Sequence, residues 1–209
     1  RSRKTVACLV KVDGKNLASE FGAMWCTHFG LSGPIVLTLS QAVSQALPQN
    51  PPPRVTIELN LKPALTPEVL DKRLQRDFAE FTRKQFKNSL GELLPLKLIP
   101  VIIRLSGIAP DKPVHQITRE ARARLVELLQ GLRPTVTKTR PIAEAVVTAG
   151  GVAVKEINPK TMQSRLVEGL FIAGEILDVD GYTGGFNLQA AFSTGMVAGS
   201  AAARLLQSK

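Results

Sequence analysis

Glycine and other small residues crowd the stretch 181–203, and this feature restricts the folds open to the chain more than any other. The sequence GYTGGFNLQ at 181–189 predicts a glycine-rich loop, and the AAFSTGMVAG that follows predicts a closely packed helix. Free N–H groups and the positive end of the helix dipole make such a helix start favourable for an anion. We therefore expect an anion site around Gly184 and Gly185; the alternative is that this pair only forms a tight turn.

A second motif, GLFIAGE at 169–175, ends in a glycine and a carboxylate. Its apolar residues predict a short strand at 170–173. Gly174 permits close approach of the backbone to a ligand, and Glu175 can accept hydrogen bonds from sugar hydroxyls. The pattern is common on its own, but the glycine pair that follows it within roughly 30 residues favours a binding site.

A third motif, VVTAGGV at 146–152, predicts a strand that ends at Gly150 and Gly151. Two glycines at a strand end are typical of backbone presented to a flat or bulky ligand. They are equally typical of a hairpin turn. Both interpretations remain open from the sequence.

The first 140 residues are more highly charged and show ordinary strand and helix patterns. The predicted strands lie at 5–12, 20–27, 55–61 and 134–139. The predicted helices begin at Pro34, Pro67 and Thr118, with one or two short helices within 93–105. This mixture indicates an α+β or α/β fold. We place a domain boundary near residue 140, because the segment 141–209 holds nine of the 16 glycines and little net charge.

Several functional classes are disfavoured by composition. No apolar run is long enough to cross a bilayer, so we expect no membrane association. Cys8 and Cys26 form no CxxC, and neither they nor His28 and His115 have the spacing of metal ligands, so we expect buried free thiols, no metal and a cytoplasmic protein. The formal net charge is +10, but its basic residues are interspersed with acidic ones, which does not favour nucleic acid as a partner.

Four motifs, in this order along the chain, resemble one known family. They are THFGLSGP at 27–34, TAGGV at 148–152, EINPKTMQS at 156–164 and the stretch from Gly174 to Gln189. Together they resemble the aminoacetone-oxidase/BaiN-type NAD(P)/FAD-dependent oxidoreductases. The resemblance covers nearly the whole chain.

This resemblance implies an insert domain of a small β-barrel plus helices at 1–140, followed at 141–209 by the C-terminal part of a Rossmann-like FAD-binding domain. No GxGxxG occurs in the chain and it starts with Arg1, so we expect a piece of a longer protein whose N-terminal FAD-binding half is its partner. The implied activity is hydride transfer between NAD(P)H, FAD and a small-molecule substrate or oxygen. The implied cofactor-binding residues are Thr148, Gly150, Gly151, Gly174, Glu175, Gly184, Gly185, Phe186, Asn187, Leu188 and Gln189.

The resemblance assigns no catalytic residue. His28 is either an acid/base group or an anchor of the turn that follows it, and Tyr182 either donates to a substrate or packs over the loop. Two other hypotheses stay open for the chain itself: the basic first domain binds RNA or an acidic protein, or the chain is a fragment without activity of its own.

Overall fold

The computed structural model describes residues 4–145, 147–182 and 184–207. The chain divides into two compact units, Arg1–Lys138 and Thr139–Lys209. The assignment of these parts to an insert domain and an FAD-binding segment stays a prediction.

The first unit contains a four-stranded antiparallel sheet in the order β3-β2-β1-β4. Its strands are β1 (Lys4–Val12), β2 (Lys15–Thr27), β3 (Gly30–Ser32) and β4 (Val55–Asn60). Asp13 and Gly14 have positive φ values of 48° and 81°, which suits the two-residue turn that joins β1 to β2. The partner strand predicted at 20–27 is therefore longer than expected, because this tight turn brings pairing back to Lys15.

Four helices complete the first unit: α1 (Pro34–Ala46), α2 (Pro67–Glu80), α3 (Ile99–Ser106) and α4 (Arg119–Gln130). The predicted caps are present. The hydroxyl of Thr66 accepts a hydrogen bond from Val69 N at 3.3 Å, and that of Thr118 accepts one from Ala121 N at 3.2 Å. The predicted helix starts at Pro34 and Pro67 are confirmed.

One core holds the first unit together. Val6, Cys8 and Val10 of β1 alternate with outward residues, as expected for a sheet with one buried face. Helix α1 packs on this sheet, and α4 packs on β4, α2 and α3. The most deeply buried helical side chains are Leu70, Leu74, Ile102, Leu125 and Leu129.

The segment 134–139 was predicted as a strand and is not one. It makes only the bridge between Thr135 and Thr56, after an isolated bridge between Leu132 and Leu59. Pro134 has no N–H to donate, so a continuous ladder cannot pass through this position. Two backbone hydrogen bonds to β4 form on either side of Pro134 N: Ile57 N donates to Pro134 O at 3.0 Å, and Val136 N donates to Val55 O at 2.9 Å.

The second unit is built around one long helix, α5 (Gly184–Gln207). The chain before it forms short 3-10 turns at Ile142–Glu144, Val154–Glu156 and Gly174–Ile176, linked by isolated bridges. The predictions of strands at 146–149 and 170–173 are wrong for the described residues, since each segment forms at most one isolated bridge. Val146 lies outside the described residues. The small core consists of Ile157, Met162, Leu177 and Ala198.

The first unit combines an antiparallel sheet with a layer of helices, and the second unit is rich in small residues. This arrangement confirms the predicted α+β class. None of the described helices has the length and apolar character needed to span a membrane.

Candidate functional site

The start of α5 differs from the sequence expectation. The helix begins at Gly184, whereas the sequence pattern assigned residues 184–189 to the glycine-rich loop before it. The first N–H groups of an α-helix have no partner within it, and among the described residues these are the amides of Gly184, Gly185 and Phe186. Leu188 and Gln189 lie inside the hydrogen-bond ladder, and their amides are therefore not the ones that face out of the helix end. Thr183, in the predicted glycine loop, lies outside the described residues.

Asn187 fixes the loop to this helix start. Its side chain, only 4% exposed, accepts a hydrogen bond from Gly181 N at 2.8 Å and donates one to Gly181 O at 3.0 Å. A Cβ at position 181 would lie 3.0 Å from Phe186 Cβ, closer than side chains normally pack. Gly181 is therefore needed for the loop to lie against the helix.

Gly174 and Glu175 occupy a 3-10 turn that is bonded to the middle of α5. Gly174 N donates to Thr194 Oγ1 at 3.0 Å, and that hydroxyl donates to Ala190 O at 2.7 Å. Gly174 has φ +81°, and nothing lies within 4 Å of the place a Cβ would occupy. Thr194 was missed by the sequence analysis, because a lone threonine inside a small-residue helix carries no distinguishing signal.

Gly151 has a structural role that the sequence did not separate from ligand binding. Val152 pairs in parallel with Leu177, with Val152 N donating to Ile176 O at 2.8 Å and Asp178 N donating to Val152 O at 2.9 Å. A Cβ on Gly151 would collide with the carbonyl oxygen of Ile176. The hairpin alternative is wrong here, because the partner of this glycine pair is a distant parallel segment. Gly150, in contrast, faces open space.

These contacts bring the three glycine motifs together in the second unit. The motif at 146–152 lies against 176–178, the motif at 169–175 is hydrogen-bonded to α5, and the motif at 181–189 forms the amino end of that helix. Among the predicted site residues, those on the surface are Thr148, Gly150, Gly151, Glu175, Gly185, Phe186, Leu188 and Gln189.

Such an arrangement suits a long anionic cofactor. Backbone without side chains at Gly150 and Gly174 is open to close approach, and the free amides at the start of α5 can bind a negative group. The residues present therefore fit the phosphate-bearing part of FAD, the cofactor that the motifs implied.

The motif at 27–34 is explained by the turn between β2, β3 and α1. Thr27 Oγ1 donates to Gly30 O at 3.0 Å, and Gly33, with φ +102°, precedes the first residue of α1. A Cβ at Gly33 would lie 3.2 Å from Ala23 O. His28 is exposed and its ring meets that of Phe29 edge to face at 5.0 Å, so nothing in this turn places it beside a reacting group.

The expectation of two buried thiols is half wrong. Cys8 is buried, and burial raises the pKa of its thiol to about 11. Cys26 is exposed; it lies near the end of β2, where it pairs with Leu31 of the short edge strand β3. Within the described residues no group of His, Cys, Asp and Glu could hold a metal ion.

Comparison with known proteins matches both units. The family model described as "HI0933-like protein barrel and H2TH domain" matches residues 2–147, and the model "Glucose inhibited division protein A" matches residues 114–209. The chain belongs to the HI0933-like family. This confirms the family of flavoprotein oxidoreductases that the four motifs indicated.

Three curated relatives resemble this HI0933-like chain. The 3-dehydro-bile acid delta(4,6)-reductase of Clostridium scindens is 32% identical over 90% of the chain and 45% of its own length. Two proteins named ribosomal RNA dihydrouridine synthase are 32% identical in Haemophilus influenzae and 33% in Escherichia coli. They are matched over 84% and 80% of the chain and over 41% and 39% of their lengths. The chain thus spans less than half the length of these relatives.

Helix α5 of this HI0933-like chain leaves much apolar surface exposed. Phe186, Phe192 and Met196 are each more than two-thirds exposed. Leu188, Phe192 and Met196 recur every four residues, so they share one stripe of the helix, whereas Phe186 lies off this stripe nearer the helix start. A contiguous exposed apolar stripe marks an interaction surface.

Proposed function

We propose that the chain is a portion of an FAD-dependent oxidoreductase that transfers hydride between NAD(P)H, FAD and a small organic substrate or oxygen. The observation that carries the proposal is the amino end of α5, where the amides of Gly184, Gly185 and Phe186 have no partner within the helix and Asn187 holds the glycine loop against them. Flavoprotein family membership and the reductase name of one relative support it.

The residues proposed to hold FAD belong to the three glycine motifs. The amides of Gly184, Gly185 and Phe186 would bind a phosphate, and Gly174 with Glu175 would contact the ribityl and sugar hydroxyls. Thr148 to Gly151 would border the flavin ring. The flavin, when bound, supplies the hydride chemistry; the chain's own residues bind, orient and neutralise charge.

The proposed partner of this chain is the N-terminal half of the same protein. The apolar stripe on α5 is the surface that it would cover, since a helix in a complete domain buries such a stripe. We therefore expect the chain alone to be inactive. We propose the cytoplasm as its compartment, which the two free cysteines support.

The test is FAD binding by the complete protein carrying Gly185→Asp. An aspartate in the first turn favours the helix dipole, so the variant should fold, but its carboxylate would repel a phosphate at the free amides. We expect bound flavin, measured by absorbance after gel filtration, to fall about tenfold or more.

The matched control is Ser200→Asp, which adds the same charge to an exposed position four turns further along α5. It should leave flavin content unchanged. Normal flavin binding by the Gly185→Asp variant would contradict the proposed site.

A second candidate, action on ribosomal RNA, is favoured by the names of two relatives and by the charge of the first 140 residues. In that case the reduced group is the pyrimidine double bond of a uridine. To separate the two candidates, the complete protein and NADPH are incubated with RNA in one assay and with a cyclic enone in another. Nucleoside mass spectrometry measures dihydrouridine in the RNA, and the substrate that is reduced identifies the function.

A further inference from the structure

The first unit carries a basic surface at two loops that pair with each other. Segments 81–88 and 109–116 run side by side: Val114 N donates to Lys84 O at 3.1 Å, Phe86 N to Lys112 O at 2.9 Å, and Lys87 N to Pro110 O at 2.9 Å. We call these two segments the basic ladder. Neither the glycine motifs nor the proposed flavin site uses them.

Buried anchors hold the basic ladder in place. Phe86 and Val114 are almost fully buried, and the Phe86 ring packs edge to face on Phe78 of α2. His115 Nδ1 lies 2.9 Å from Thr82 O, which adds a further link between the segments. The cations on the ladder therefore project from a fixed backbone, which reduces the entropy lost when they bind a partner.

The charge of the basic ladder is one-sided. Its cations are Arg83, Lys84, Lys87 and Lys112, and its only carboxylate is Asp111. Lys87 pairs with Asp111 at 2.5 Å, while Lys84 lies over the ring of Phe81 at 3.7 Å. Among the described residues, Arg83, Lys84 and Lys112 form no ion pair.

Arg83, Lys84 and Lys112 lie on paired segments and have no ion pair among the described residues, so ion pairing within the fold does not explain their grouping. A polyanion would neutralise them and release its counterions. We propose that the basic ladder binds the phosphate backbone of RNA. RNA rather than an acidic protein is favoured by the ribosomal RNA named in two relatives, a step that rests on the second candidate function.

The experiment measures binding of a fluorescein-labelled RNA hairpin to the full chain by anisotropy at several KCl concentrations. The test variant carries Arg83→Gln, Lys84→Gln and Lys112→Gln, and leaves the Lys87–Asp111 pair intact. The control variant carries Lys15→Gln, Lys155→Gln and Lys160→Gln, exposed lysines elsewhere. A third variant, with Lys84→Arg and Lys112→Arg, keeps the charge.

We expect the test variant to bind about tenfold more weakly or worse, and the slope of log affinity against log salt to become shallower by roughly 2. The control and the arginine variant should bind like the native chain. Equal weakening in test and control variants would overturn the proposal, as would absence of native RNA binding or equally tight binding of poly-glutamate.

Circular dichroism of each variant establishes that the fold is kept; if the triple variant unfolds, Arg83→Gln alone should still reduce the salt slope. Flavin content of the complete protein is read in parallel. If the native protein retains flavin but does not bind RNA, only this proposal is overturned, whereas RNA binding by a native protein without flavin would overturn the oxidoreductase function.

Discussion

Gly150 and Gly151 are neighbours, yet their surroundings differ. Both have positive φ, 94° and 146°, which disfavours other residues. Only at Gly151 does a carbonyl, that of Ile176, occupy the place of a Cβ. The two glycines cannot be distinguished from the sequence, because it does not show which backbone atoms lie next to each of them in the fold.

Replacing Gly151 with alanine should therefore destabilise the bridge between Val152 and Leu177 by about 3 kcal/mol, from backbone strain plus the collision. Gly150→Ala should cost only the strain, about 1–2 kcal/mol. Amide hydrogen exchange at Val152 and Asp178, whose N–H groups form the bridge, reports both effects. Equal acceleration in the two variants would contradict the close approach inferred at Gly151.

Other residues of the candidate site show which roles can be predicted from local sequence and which cannot. The glycines were predictable because positive φ and close approach leave a compositional signal. Asn187 was included for its amide, but the structure shows its side chain pinning Gly181. Thr194, which holds Gly174, was not predicted because a side chain acting across 20 residues leaves no local pattern.

At the scale of elements, local signals predicted helices better than strands. Helices α1, α2 and α4 begin where proline or a threonine cap places them, because a helix satisfies its hydrogen bonds within one segment. A strand needs a partner that local sequence does not name. The segments 134–139 and 170–173 have strand-like composition but obtain only single bridges.

Helices α2 and α4 are joined by an ion pair that should make their packing pH-dependent. Arg122 donates from Nε to Asp71 Oδ1 at 2.5 Å and from Nη2 to Asp71 Oδ2 at 3.3 Å, and this hydrogen bonding lowers the pKa of Asp71. A lowered folded-state pKa means that the stabilisation is present at neutral pH. It is lost as the pH falls below the ordinary value of about 4 towards the lowered one.

Asp71→Asn should accordingly reduce the free energy of unfolding by about 1 kcal/mol at pH 7, since the pair is partly exposed, and by less near pH 3. Urea unfolding of both proteins across this range measures the difference. Glu80→Gln, at the exposed end of α2, serves as control and should show no such pH-dependent difference. A difference between Asp71→Asn and the native chain that does not shrink on acidification would exclude the pair as its origin.

For the molecule as a whole, the two units differ most in the cores they can build. The first unit clusters 29 buried apolar residues among those described, whereas the second clusters only Ile157, Met162, Leu177 and Ala198. Large apolar side chains of the second unit are instead exposed, above all on α5. Burial supplies most of the stability of a domain, so the second unit should be the less stable one.

Hydrogen exchange of the chain alone and of the complete protein tests this asymmetry. In the chain alone, amides of α5 should exchange far faster than those of α2 and α4, because few buried contacts oppose opening of α5. In the complete protein, covering the stripe of Leu188, Phe192 and Met196 should slow α5 exchange at least tenfold. The amides of α2 and α4 act as internal reference and should change little. If α5 were already as protected in the chain alone, its apolar stripe would need no partner, and the proposal of a complementary half would lose its support.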